Sequence, residues 1–300
     1  MAMNSINTNA AAMVALQNLA DTQTQLATVQ NRINTGLKVA SAKDNGAVWA
    51  IAQTEKAQAS SLDAVTNSLN NGKSVLDTTL QAGSQMTDIL NQMRAKALAA
   101  SDAGVDNASR TQYQSEYTKL AQSYANVIAS AGFNGINLID ASSGAISAIG
   151  SADGAIKITS AHNSLNAATL FASDTSLTVT AGTVVAPATT ASVDTVVSAT
   201  TWADGNGTQA ASALTAVDAA IKSVTQGLSG FGVDSKAIDN QITLVSKLQD
   251  SLTAGIGNLV DANLAQESAS LQALQTKQQL GVQALSIANQ STGILLGLFR

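Results

Sequence analysis

Apolar residues return at helical spacing over most of this chain. Val217, Val224, Phe231, Ile238, Val245, Leu252 and Leu259 recur every seven residues, and Leu214, Ile221, Leu228, Ile242 and Ile256 hold the companion position. A repeat sustained from Val217 to Leu259 predicts one long helix packed in the manner of a coiled coil. Gly227, Gly230 and Gly232 each weaken it by roughly 1 kcal/mol relative to alanine, which makes that stretch the place for a break or kink. In the N-terminal half, Leu16, Leu19, Leu26, Val29 and Ile33 form one stripe, and Leu62, Val65, Leu69, Leu76 and Leu80 form another. A third segment runs from about Asp106 to Ala131 through Tyr113, Tyr117, Leu120, Tyr124, Val127 and Ile128. Taken singly, each stripe reads as ordinary core. The single proline, Pro187, leaves long helices free to form on both sides of it.

Between about Ala141 and Gly207 the pattern changes. Ser, Thr, Ala and Gly dominate, and apolar residues alternate, as in Ile156 and Ile158 or Leu177 and Val179. Asp153-Gly154 stands where a tight hairpin turn belongs, and Thr183 to Val185 and Val193 to Val197 are β-branched. Short strands inserted between helical arms fit these signals; a linker is the alternative reading of the small-residue composition.

Charge adds what the stripes alone do not say. From Met1 to Gln30 the only charged residue is Asp21, and from Gln278 to Phe299 there is none. A solvated helix covers its outer face with charged residues. These ends carry Asn, Gln, Ser, Thr and Ala instead, so protein can surround them without the cost of burying unpaired charge. The terminal stretch "ANQSTGILLGLFR", with Ile294, Leu295, Leu296, Leu298 and Phe299, needs a partner surface for the same reason. The simplest arrangement pairs the two ends with each other and with copies in neighbouring subunits.

Composition excludes several chemistries. Only 12% of residues are charged and the net charge is −5, so the basic surface that nucleic acid requires is missing. There is no cysteine, and His162 is the only histidine, which removes thiolate metal sites, histidine-ligated metals and the nucleophile triads from consideration; no cofactor is expected. The N-terminus has no basic flank followed by a long apolar run, and the longest apolar stretch is far short of the roughly 20 residues that cross a bilayer, so neither a secretory leader nor a membrane partner is expected. Gly72-Lys73-Ser74 imitates the end of a phosphate-binding loop, but Asn67 stands where the earlier glycine belongs and a helical stripe runs through it. Asp261 and Glu267 are six apart on a helical stretch and read as solvated or interfacial charges rather than as acid and base. The chain reads as a non-enzyme.

The stretch "NRINTGLKVASAKDNGAVWAIA" resembles the N-terminal signature of bacterial flagellin, with Arg32, Gly36, Leu37, Lys38, Ala42 and Asp44 matching. The opening "INTNAAAMVALQNL", "FNGINLI" from Phe133 and the closing "ANQSTGILLGLFR" fit as well. The resemblance covers roughly residues 1 to 140 and 208 to 300, and "SAKDNGA" with "LQTKQQLGVQALSIANQS" is most like the short alphaproteobacterial flagellins.

This resemblance implies a mainly α fold: long antiparallel helical hairpins, a coiled coil of the N- and C-terminal arms, and a small β-rich insert in the middle. Residues 1–40 with 255–300 would form the inner tube of a filament, 41–145 with 208–254 its helical wall, and 146–207 a variable surface domain. Leu16, Leu26, Ile33, Leu285, Leu295, Leu298 and Phe299 would make the inner-tube contacts. Arg32, Gly36, Leu37, Asp44 and Trp49 would hold the connecting segment, where Gly36 lets the chain turn; a helix running straight through Gly36 is the alternative. Leu62, Leu69, Leu76, Val217, Val224, Val245 and Leu252 would build the wall. The segment that host innate receptors read in many flagellins appears as "NQMRAK", with Gln92 and Lys96 departing from the family pattern and Glu116 fitting it, which implies weak recognition. The implied partners are further copies of this chain, other flagellins, an export chaperone, and filament cap and junction proteins. Export would proceed through the flagellar type III apparatus to an extracellular filament. A hook-to-filament junction protein and a flagellin-framed surface adhesin are the rival readings.

Overall fold

The computed structural model describes residues 9–140, 145–161, 163, 165, 177–181, 195–199, 202 and 207–298, of which 177–181, 195–199 and 291–298 are described by their backbone. Pro187, His162, Thr183 to Val185 and Phe299, singled out above, lie outside the described residues. Helices α1 (Ala10–Thr35), α2 (Gly46–Ser101), α3 (Asn107–Ser130), α4 (Thr208–Val260) and α5 (Leu264–Leu298) dominate. Strands β1 (Ile146–Ile149) and β2 (Lys157–Ser160) form one antiparallel hairpin, and β3 (Leu177–Ala181) and β4 (Thr195–Ala199) form another. The mainly α architecture with a small β-rich middle is the one the sequence pattern predicts. The chain divides into two compact units, one made of residues up to 59 with those from 249 onward, the other of residues 60–248.

The core of the second unit follows from the spacing of small and large apolar residues on α2. A buried row runs Leu62, Val65, Leu69, Gly72, Leu76, Thr79, Gly83, Met86, Leu90, Met93, Ala97 and Ala100, alternating three and four residues apart, with Val75 and Ala82 buried beside it. That is an unbroken coiled-coil seam. On α4 the row Val217, Val224, Phe231, Ile238 and Val245 is buried, as the heptad spacing predicts. The companion row differs from expectation. Ala210, Ala213, Ala220 and Gly227 are buried beside it, whereas Leu214, Ile221 and Leu228 flank the seam half-buried. The small residues let the backbones approach, and the large ones close the sides.

Two glycines show how closely. A Cβ on Gly83 would lie 2.0 Å from Leu228 Cδ2, and one on Gly72 would lie 3.1 Å from the Ala148 Cβ of β1. Helix α4 also passes unbroken through Gly227, Gly230 and Gly232. The expected weak point is carried by packing, because the local propensity cost is small beside the burial of Val224 and Phe231 on either side.

Helix α3 begins where its sequence allows. The Asp106 carboxylate accepts the Ser109 N–H at 2.8 Å, and this capping bond holds the Asp106 carboxyl below its usual range. Tyr117, Ala121, Tyr124 and Ile128 are buried, and the Tyr124 hydroxyl donates to the Leu165 carbonyl at 2.8 Å; burial pushes its pKa upward and keeps the hydroxyl neutral. After α3, Phe133 and Ile136 exchange both backbone hydrogen bonds, at 2.9 and 3.0 Å, around Asn134 at φ 51° and Gly135 at φ 79°. Positive φ at both central residues is a type I′ turn, which favours Asn-Gly. Asn137 then ties the segment down, donating to the Ile128 carbonyl and accepting the Ile139 and Asp140 N–H groups.

The β1–β2 hairpin turns at the predicted Asp153-Gly154, with Gly154 at φ 71°. It docks through Ile149 N–H to Ser68 Oγ (3.0 Å), Gln241 Nε2 to the Gly150 carbonyl (2.6 Å) and Ser160 Oγ to Asp234 (2.6 Å). Lys73, of the phosphate-loop imitation, lies mid-helix on α2 and pairs with Asp239.

Candidate functional site

Helices α1 and α5 run antiparallel, and the sequence explains their seam. On α1 the inward positions are Ala12, Leu19, Leu26 and Ile33, with Ala15, Thr22 and Val29 in the companion row. On α5 they are Leu271, Gln278 and Leu285, with Glu267, Leu274, Gly281 and Ala288. Both rows keep the heptad. Two polar contacts fix the register: Asn9 Nδ2 donates to the Ala288 carbonyl at 2.8 Å, and Arg32 Nη1 donates to Glu267 Oε1 at 3.2 Å. The latter pair is worth about 1 kcal/mol or less where solvent reaches it. Its greater value is registry, because shifting one helix along the other breaks it. Glu267, read above as an interfacial charge, is the α5 partner in this bond.

The segment between α1 and α2 is ordered by its own residues. Helix α1 stops at Thr35 because Gly36 takes φ 72°, and the Gly36 N–H caps the Arg32 carbonyl at 2.8 Å. The left-handed conformation costs a non-glycine residue roughly 1–2 kcal/mol. From there the chain is laced to the α4–α5 connection: Ala262 N–H to the Gly36 carbonyl (2.9 Å), Lys38 N–H to the Val260 carbonyl (2.7 Å), and a bridge between Leu37 and Asp261. Val39 is buried with Ala52 and Val260, and Leu37, Val48, Trp49, Ile256 and Leu259 pack around them. Asp44 Oδ2 accepts the Ser41 N–H, the Ser41 hydroxyl and the Ala40 N–H within 3.1 Å. The Ser41 bonds chiefly, with Ala40 and the Arg32 charge adding, hold its carboxyl below the usual range. Thus Arg32, Gly36, Leu37, Asp44 and Trp49 all take part in one small assembly.

Of the residues expected in the inner tube, Leu26, Ile33 and Leu285 lie in the α1–α5 seam. Leu16 does not: it is 52% exposed and flanks the seam, which the smaller Ala12 and Ala15 fill. Leu295 and Leu298 are in α5, but their side chains, like Phe299, lie outside the described residues. Beyond the seam, Met13, Val14, Leu16, Leu280, Val282 and Ile287 are exposed. A groove of about 720 Å³ between α1 and α5 has a floor of Ala11, Ala15, Gly281 and Ala284 and a rim that includes Val14, Leu280 and Ile287.

Among the wall positions, Leu62, Leu69, Leu76, Val217, Val224 and Val245 are buried in the second unit, and Leu252 is half-buried in the first. Lys96 and Glu116 meet at 2.6 Å, and this bond raises the pKa of Lys96, lowers that of Glu116 and so favours both charges; Lys96 Nζ lies 5.9 Å over the Tyr113 ring. Gln92 is exposed one turn before Lys96.

Sequence reasoning missed Arg110 and Trp202. Arg110 is fully buried on α3, donating from Nε to the Ala100 carbonyl (2.9 Å) and from Nη2 to the Asp102 (2.9 Å) and Val105 (3.1 Å) carbonyls. Trp202 is fully buried with its ring 5.0 Å from that of Tyr117, and its backbone N–H donates to Gln114 Oε1 at 3.0 Å. No spacing rule marks either. The Asn134-Gly135 turn did carry a signal, Asn-Gly between two large apolar residues.

Among the described residues no group of three or more His, Cys, Asp or Glu could hold a metal, and no helix is long and apolar enough to cross a membrane. The chemistry this arrangement offers is packing: long helical arms, paired with each other, still present apolar surface for more helices. The fold and this surface define a helical assembly subunit.

Residues 6–144 match the bacterial flagellin N-terminal helical region, and residues 214–299 match the bacterial flagellin C-terminal helical region. The chain belongs to the bacterial flagellin family. It is 45% identical to flagellin FljK of Caulobacter vibrioides over all of both chains, and 33% identical to a flagellin of Brucella melitensis over 99% of this chain and all of that one. The crystal structure of Bacillus cereus flagellin aligns with 59% of this chain and 88% of its own, at 19% identity and a TM-score of 0.45. The protein is a structural subunit of the flagellar filament, assembles with itself outside the cell for motility, and is not an enzyme.

Proposed function

We propose that α1 and α5 line the inner tube of the filament and make its central contacts between subunits. The observation that carries this reading is the exposed apolar surface of Met13, Val14, Leu16, Leu280, Val282 and Ile287 on two helices with almost no charge. Leu26, Ile33 and Leu285 hold the two arms together, and Leu16, Leu295, Leu298 and Phe299 reach neighbouring subunits. Residues 1–40 with 255–300 act as the inner domain, 41–145 with 208–254 as the wall, and 146–207 as the surface domain. Arg32, Gly36, Leu37, Asp44 and Trp49 join the inner domain to the wall. Leu62, Leu69, Leu76, Val217, Val224, Val245 and Leu252 supply the wall's apolar packing, at roughly 1.5–3 kcal/mol for each fully buried Leu or Val. The contact is heterologous and repeats without closing, as a helical polymer requires.

Removing Leu295 to Arg300 tests this. The truncated chain keeps its helical circular dichroism but forms no filaments on sheared seeds in ammonium sulfate. Filament yield equal to that of the full chain would defeat the reading.

The route outward is, on the family's implication, the flagellar type III export apparatus without a cleaved leader. A dedicated chaperone would act before export, and cap and junction proteins would meet the filament's ends. The mass of the chain shed in filaments is expected to begin at Met1 or Ala2; a shorter N-terminus would indicate a processed leader. Gln92 and the engaged Lys96–Glu116 pair support weak recognition by the vertebrate flagellin receptor. Strong receptor activation by pure monomer would reject that part.

A further inference from the structure

Apart from the Arg32–Glu267 pair, α1 and α5 carry one charge each. Residues 1–31 contain only Asp21 and residues 268–299 contain only Lys277. The ion pairs among the described residues are Arg32–Glu267, Lys73–Asp239, Arg94–Asp218 and Lys96–Glu116, and neither Asp21 nor Lys277 belongs to any of them. Both side chains are exposed. Lys277 lines one end of the α1–α5 groove together with Asn18 and Thr22. Asp21 follows Val14, which also lines the groove, by seven residues and so shares its side of α1. Both charges therefore stand on the face that the proposed function leaves for a neighbour.

A charge on such a face has consequences once the face is covered. The ion must meet an opposite charge or lose its water unpaired. The arms supply one ion of each sign, and the neighbour in a homopolymer brings the same two. We propose that in the filament Asp21 of one copy pairs with Lys277 of a neighbouring copy, and that this pair fixes the axial register of the packed arms. The inference rests on the assignment of α1 and α5 to the contacts between subunits.

The need for such a pair follows from the rest of the surface. Apolar contact is non-directional, so it penalises a slip of one heptad, about 10 Å along the helix axis, less sharply than a charge pair does. Such a slip would separate the one opposite-charge pair and cover both ions alone. A lone polar residue in a coiled-coil seam selects register by the same physics.

The experiment uses full-length chains bearing Asp21→Lys or Lys277→Asp, elongating on wild-type seeds, with the unpolymerised concentration read after sedimentation and helicity checked by circular dichroism. Each variant alone is expected to raise that concentration at least tenfold, because like charges then meet at every repeat. An equimolar mixture of the two is expected to return it to within about twofold of wild type, since alternating copies restore each pair. Asp21→Asn and Lys277→Gln, which introduce no new charge, are expected to fall in between. Single variants that polymerise like wild type would overturn the proposal, including the case in which the charges serve an export partner instead. A mixture as poor as its components, beside a double variant that polymerises normally, would place the pair within one chain and also overturn it. If the truncation of Leu295 to Arg300 is silent, the assignment of the arms itself falls; if truncation blocks assembly while charge reversal is silent, only this inference falls.

Discussion

Replacing Trp202 with alanine is expected to destabilise the folded monomer by about 3–5 kcal/mol, the usual cost of truncating a fully buried tryptophan. For a unit of this size that lowers the thermal midpoint by on the order of 10 °C in a circular-dichroism melt. Trp202 is completely buried, packs at 5.0 Å against the ring of Tyr117, and its backbone N–H is held by Gln114. With β4, it docks the chain on α3 before α4 begins at Thr208. Its Nε1 is buried without a hydrogen-bond partner among the described residues, so Trp202→Phe, which keeps an aromatic ring and removes that donor, is expected to cost much less than Trp202→Ala. A midpoint shift under about 2 °C for Trp202→Ala would show that the ring contributes little to this core.

Arg110→Met is expected to cost about 3 kcal/mol. The substitution preserves much of the aliphatic volume but strands the carbonyls of Ala100, Asp102 and Val105, and bonds from a charged donor are worth about 1.5–3 kcal/mol each before the protein relaxes. The guanidinium fork reaches three carbonyls at once, where the α2 C-terminus gathers partial negative charge. Arg110→Lys keeps the charge but not the fork, so it should fall between wild type and Met. Urea unfolding of the three monomers checks the order; equal stability of Met and wild type would mean that the turn satisfies its carbonyls without Arg110.

These two residues also mark where sequence reading stops. The heptads of α2 and α4 were legible because a period near 3.6 is a local property, visible without knowing what lies opposite. Gly36 and Asp153-Gly154 were legible because turn chemistry depends on the residues in the turn. Which side of Val217 would carry the second row was not legible. Leu214 and Ala213 are both acceptable neighbours on one helix, and only the surface packed against α4 decides that the alanines are buried while Leu228 closes over Gly83. The place of Leu16 was not legible for the same reason: spacing puts it in a stripe with Leu19 and Leu26, but Ala12 and Ala15 fill the seam and Leu16 is left exposed beside it.

For the candidate site, the sequence marked the connecting residues through Arg32, Gly36 and Asp44, and it marked the nearly charge-free arms. It did not reveal that Asp44 caps its own loop at Ala40 and Ser41, or that Arg32 reaches Glu267 across the hairpin. Those bonds join residues whose distance along the chain says nothing of their distance in space.

By itself, then, the sequence determined the helical arms and the β-rich middle, since periodicity and turn residues act over a few neighbours, and its motifs carried the resemblance to the family. The tertiary structure decided the register of α1 on α5, the alanine row of α4, the burial of Arg110 and Trp202, and which apolar residues remain for a partner. The physical reason is that burial and hydrogen-bond satisfaction depend on the opposing surface. That surface is assembled from residues as far apart as Asn9 and Ala288.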